Sequence, residues 1–87
     1  MYRLLDYLVQ FTVVLSAEDY YNAGITREQV KEIINSTTNP STGRNLYAQP
    51  AAINGNWEFA VYDELYIAPI VSEIKYRLEG LVKKSKL

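Results

Sequence analysis

Apolar residues at the start of the chain recur at the spacing of one helical face. These residues are Leu4, Leu8, Phe11 and Leu15. We therefore predict a first helix over residues 2–15. The β-branched run Thr12-Val13-Val14 fits a strand equally well, so the end of this segment has two interpretations.

A glycine separates two further predicted helices. Ser16 is a good N-cap residue for a short helix over residues 17–23. Gly24 follows where a left-handed backbone commonly ends a helix. The pattern predicts two helices joined by a tight turn.

The start of the next helix carries the clearest local signal in the chain. Thr26 can cap the first turn, and Gln29 can reach back to complete a capping box. Ile25 and Val30 occupy the positions of a hydrophobic staple on either side of the cap. These features predict a helix over residues 27–37.

A β-hairpin is predicted over residues 47–62. Asn54-Gly55 is a strong signal for a tight hairpin turn. Apolar residues then alternate with others along the second strand, at Trp57, Phe59 and Val61. Pro50 lies in the first strand and restricts it to a sheet edge or an irregular form.

The last part of the chain predicts a helix over residues 69–84. Pro69 suits the first turn of a helix. A continuous apolar face follows, at Ile70, Ile74, Leu78 and Leu81. Together the elements predict one α+β domain over residues 1–87, mostly helical, with a single hairpin in the second half.

Composition narrows the classes of function. The 87 residues include no histidine and no cysteine, which removes the commonest general base and the commonest metal ligands. No glycine-rich phosphate loop is present. We therefore expect a binding protein that is not an enzyme and that carries no cofactor or metal.

Charge and length limit the partners and the location. Nine basic and ten acidic residues give a net charge of −1, which is unlike a strongly basic nucleic-acid binder. The uncharged run between Asp6 and Glu18 is too short to cross a bilayer. We expect an intracellular, cytoplasmic protein without membrane contact. A chain this small gains stability from self-association, so we expect a homodimer through residues 2–15 and 69–84.

Residues 20–35, YYNAGITREQVKEIIN, resemble the helix-turn-helix of bacterial repressors. Ala23, Gly24, Ile25 and Thr26 match the turn of that family. Tyr20 departs from it, because repressors usually have a small residue there. With the hairpin counted as the wing, the resemblance extends to winged-helix domains and implies a DNA-binding regulator of transcription.

The resemblance implies that the third predicted helix enters the major groove, with the hairpin tip near the DNA backbone. The contact residues so implied are Arg27, Glu28, Lys31, Glu32, Asn35, Arg44, Asn54 and Asn56. Glu28 and Glu32 oppose this function, because their charges cancel the cations that would neutralise phosphates.

The alternative is a protein-interaction module or inhibitor that docks on a partner protein without binding DNA. Near-neutral charge and eight tyrosines favour it, since aromatic residues are enriched in interface cores. Residues 39–44, NPSTGR, resemble a short NPxTGR element of some viral structural and adaptor proteins. A solvated turn explains the same six residues equally well. The compact, tyrosine-rich and cysteine-free composition also resembles that of small viral or plasmid accessory proteins.

Overall fold

The computed structural model describes residues 10–85, which form an α+β domain as predicted. The strands are β1 (Gln10–Leu15), β2 (Thr38–Asn39), β3 (Arg44–Asn45), β4 (Gln49–Pro50) and β5 (Trp57–Tyr62). The helices are α1 (Glu18–Asn22), α2 (Arg27–Asn35) and α3 (Ile67–Ser85). A 3-10 turn, Glu64–Tyr66, precedes α3.

Residues 10–15 form a strand, so the prediction of a helix over 2–15 is wrong for this part. β1 pairs antiparallel with β5, and Phe11 lies opposite Val61. Phe11 and Leu15 fit a helical face, but with Val13 they also alternate as one face of a strand. Pairing with β5 decides in favour of the sheet. Residues 2–9 of the predicted helix lie outside the described residues.

The two helices after β1 are close to their predicted positions. α1 spans residues 18–22, and the predicted cap at Ser16 is wrong, because Ala17 is the N-cap and no side chain caps this helix. Gly24 has the expected left-handed backbone, with φ +101°. The capping box of α2 is confirmed: Gln29 N donates to Thr26 Oγ1 over 3.1 Å.

α2 ends at Asn35, two residues before the predicted end at residue 37. The hydroxyls of Ser36 and Thr37 both donate to the carbonyl oxygen of Ile33, over 3.1 and 2.8 Å. Side chains that bond a preceding carbonyl in this way compete with the helical backbone. The local sequence therefore stops the helix here.

The main sheet has the strand order β1-β5-β4, and all its pairs are antiparallel. The predicted hairpin is present as β4 and β5, and Gly55 in its turn has φ +92°. β4 has only two residues and contains Pro50, which keeps it at the edge of the sheet. A second hairpin, β2 and β3, which was not predicted, spans residues 38–45.

The core lies between one face of the main sheet and the helices. Phe59 and Val61 of β5 face the buried side of α2 and of α3. The helix residues in the core are Val30, Ile33, Ile34, Ile70, Ile74 and Leu78. α3 begins at Ile67, two residues before the predicted start, and runs to Ser85. No helix within residues 10–85 is both long and apolar enough to span a membrane.

Candidate binding surface

The outer face of the main sheet forms the floor of a groove that we call the sheet groove. Its floor residues are Gln10, Thr12, Gln49, Glu58, Ala60 and Tyr62. Residues of the second hairpin and the segment after it line its wall: Thr42, Arg44, Asn45 and Tyr47. The groove encloses about 580 Å³ and is open to solvent. Ala60 lies in the middle strand, where its small side chain leaves depth.

The wall is held in place by the NPSTGR turn. Asn39 is buried, and its Oδ1 accepts a hydrogen bond of 3.0 Å from Ser41 N. The Asn39 carbonyl accepts from Gly43 N over 2.9 Å, and Gly43 has φ +71°. Ser41 Oγ donates to the carbonyl oxygen of Tyr62 at the end of β5. These bonds attach the second hairpin to the main sheet and set the width of the groove.

Tyr47 is the most prominent side chain of this surface. It is 71% exposed, although its neighbours Leu46 and Ala48 are buried. Besides the sheet groove, Tyr47 lines a second depression of about 380 Å³, together with Lys31, Pro50 and Trp57. Tyr47 therefore joins two concave regions into one continuous surface.

The sheet groove contains two opposite charges that are not paired with any of the described residues. Arg44 lies on the wall and Glu58 on the floor. Neither side chain has a hydrogen-bond or ion-pair partner among residues 10–85. As far as the described residues are concerned, both charges are available to a ligand.

Four of the eight contact residues implied by the helix-turn-helix resemblance form hydrogen bonds within the protein. Arg27 Nη2 donates to Asn54 Oδ1 over 3.1 Å. Asn56 Oδ1 accepts from Ala17 N over 3.3 Å. Asn35 Oδ1 accepts from Ala48 N over 2.8 Å. These side chains hold the hairpin tip and the 46–48 segment against the helices.

The structure distributes the other four nominated residues over different surfaces. Glu28 is exposed in the first turn of α2. Glu32 lines a groove between α2 and α3, whereas Lys31 lies beside Tyr47. Arg44 lies across Tyr47 from Lys31, so only these two nominated cations belong to one surface.

The sequence did not single out Tyr47, Tyr62, Gln49 or Gln10 as site residues. The abundance of tyrosine was the one available signal, and it did not distinguish interface rings from core rings. Tyr20 packs against the core, and burial raises the pKa of its phenol, with Glu79 and Asp19 contributing. Tyr47 is exposed, and only the tertiary structure separates the two roles.

Within residues 10–85, no three side chains of the metal-binding types come together. The residues that line the sheet groove provide hydrogen-bonding groups, an exposed aromatic ring and two opposite charges. No protein-family model, curated protein or solved structure shows a significant match to this chain.

Proposed function

We propose that the chain is a non-catalytic protein-binding module that holds an extended peptide segment of its partner in the sheet groove. The exposed ring of Tyr47 carries this proposal, together with the charges of Arg44 and Glu58, which have no partner within residues 10–85. The lack of histidine and cysteine supports binding rather than catalysis.

The aromatic side chains fit a protein partner. Tyrosine and arginine are enriched among the residues that contribute most to protein interfaces. Tyr47 and Tyr62 stand on the wall and floor of the same groove, with Arg44 beside them. A tyrosine side chain on a rigid backbone has only two free torsion angles, so it loses little conformational entropy when a ligand covers it. Leu46 and Ala48, both buried, fix the backbone on each side of Tyr47.

The charges favour a peptide over a nucleic acid. Binding of nucleic acids depends mainly on cations that neutralise phosphates. In the sheet groove Glu58 opposes Arg44, and the whole chain has a net charge of −1. A peptide that carries an acidic and a basic residue can pair with both groups.

The test is selection of peptides on the immobilised protein from a random displayed library, followed by fluorescence anisotropy with the recovered peptides. Tyr47→Ala should weaken binding by about tenfold or more, which corresponds to about 1.4 kcal/mol. Tyr76→Ala is the matched control, because Tyr76 is 78% exposed on α3, outside the groove.

Arg44→Ala and Glu58→Gln should each weaken peptides of the complementary charge and leave uncharged ones unchanged. Recovered peptides that bind the Tyr47→Ala variant as tightly as the wild type would contradict the proposal. So would a selection that yields no binder.

Sequence-specific DNA binding is the second candidate. The Gly24 turn, the capped α2 helix and the hairpin tip bonded to Arg27 support it. The internal bonds of Arg27, Asn35 and Asn54 weigh against it, because those groups are then less available to bases. A mobility shift at low salt that disappears in the Arg27→Ala, Lys31→Ala double variant would favour DNA. No shift with any duplex would exclude it.

A further inference from the structure

The two outer strands of the main sheet differ in how they are protected. β4 has two residues and contains Pro50, so it offers little backbone for pairing. β1 has six residues, QFTVVL, with no charge and no proline. Proteins usually protect sheet edges with short strands, charges or proline. Within residues 10–85, β1 pairs with β5 alone, so no other described strand covers its second edge.

The side chains of β1 are also less covered than those of its neighbour. Phe11 and Val13 face the core but are only half-buried, whereas Phe59 and Val61 beside them are buried. Val14 on the outer face is 55% exposed. Covering these apolar groups would add favourable free energy. Among the described residues, apolar side chains are therefore exposed along the same edge that no strand covers.

We propose that β1 pairs antiparallel with β1 of a second copy of this chain, which gives a continuous six-stranded sheet. Symmetry repeats every contact, so a charge near the centre of β1 would oppose a charge of the same sign. The QFTVVL strand has none, and this makes it compatible with itself. A longer charged or proline-containing strand from another protein would gain less from this edge.

The register follows from the alternation of the strand. With the two-fold axis perpendicular to the sheet, directly opposed residues must face the same side. If the pairing is centred on the six residues of β1, the axis passes between two Thr12 residues or between two Val13 residues. In both registers Phe11 contacts an apolar core-facing residue of the second copy, either Val13 or Leu15.

The chain has no cysteine, so single cysteines report this contact directly. Opposed Cα atoms in an antiparallel pair are about 4.5–5.5 Å apart, which suits a disulfide. Under mild oxidation, either Thr12→Cys or Val13→Cys should form a covalent dimer. Tyr76→Cys, exposed on α3, is the control and should stay monomeric. Failure of both strand variants, or equal cross-linking of the control, overturns the proposal.

Sedimentation equilibrium tests the same contact without covalent cross-linking. Thr12→Lys should raise the dimer dissociation constant by about tenfold or more, because it brings like charges together. Leu65→Lys places the same charge on a residue that is 78% exposed outside β1, and should leave the constant unchanged. Circular dichroism confirms that each variant is folded. A wild-type monomer at all accessible concentrations overturns the proposal, whatever the peptide selection finds.

Discussion

The indole N–H of Trp57 donates a hydrogen bond of 2.8 Å to the phenol oxygen of Tyr21. The Tyr21 hydroxyl in turn donates to the carbonyl oxygen of Gly55 over 2.6 Å. One side chain of α1 thus holds both the start of β5 and the turn that precedes it. The hairpin tip is fastened to the helices through this phenol.

Tyr21→Phe should lower the free energy of unfolding by about 1 kcal/mol, because a donor and an acceptor at the hairpin lose their partner. Trp57 is the single tryptophan, so its fluorescence should also change in the folded variant. Urea unfolding followed by circular dichroism measures the first effect. Tyr76→Phe, which alters an exposed ring, serves as the control. An unchanged midpoint in Tyr21→Phe would show that water replaces these bonds without cost.

Arg77 connects α3 to the end of α2. Its guanidinium donates to Ser36 Oγ over 2.8 Å and to the buried Thr37 Oγ1 over 3.1 Å. Arg77→Met should destabilise the protein by about 1.5–3 kcal/mol, the range for hydrogen bonds to a charged group. Chemical denaturation is the measurement. Lys75→Met, at an exposed position of the same helix, should have little effect.

The caps of the first two helices give a paired prediction. Thr26→Ala removes the hydrogen bond to Gln29 N and should cost about 1 kcal/mol. Ser16→Ala should cost almost nothing, since no side chain caps α1. Thermal and urea unfolding of both variants compares them. Equal losses in the two variants would contradict the assignment of the caps.

Substitution by alanine should change the stability of the protein in opposite directions at Gly80 and at Gly55. Gly80 lies inside α3 with open space around it, so Gly80→Ala should stabilise the protein by about 1 kcal/mol through helix propensity. Gly55 has φ +92°, a backbone conformation that residues with a side chain rarely adopt. Gly55→Ala should therefore destabilise the hairpin. A calorimetric melting temperature that moves in the same direction for both variants would contradict this account.

Tyr20 should make the protein sensitive to alkaline pH. Burial, together with Glu79 and Asp19, raises the pKa of its phenol above the ordinary value of 10.0. The folded state then holds the proton more tightly than the unfolded state, so this stability is present below pH 10.0 and lost as pH rises through the folded pKa. Tyr20→Phe should flatten that loss in urea unfolding at increasing pH, whereas Tyr76→Phe should not.

Local signals predicted much of the architecture. The Thr26 capping box, the Asn54-Gly55 turn and the apolar face of α3 each depend on residues close together in the chain. Interactions between residues three or four positions apart specify such features, so they depend little on the rest of the fold. The end of α2 was less accurate, because the hydroxyls of Ser36 and Thr37 determine it.

The candidate site was harder to predict from the sequence. Arg27 and Asn35 have the residue types of contacts, but each is bonded to a segment distant in the chain. Tyr47 has no distinguishing neighbour in sequence. Its exposure results from the burial of Leu46 and Ala48 and from the floor that β1 and β5 build beside it.

Local sequence patterns were enough to predict α2, α3, the turn at Gly24 and the second-half hairpin. The tertiary structure alone decided that residues 10–15 are a strand, because their helical and strand periodicities are both satisfied by the same apolar residues. The strand forms because residues 10–15 pair with β5, whose Trp57 lies opposite Leu15 although the two are 42 positions apart in the sequence. Pairing over that separation depends on how the whole domain closes its core, which no local pattern records.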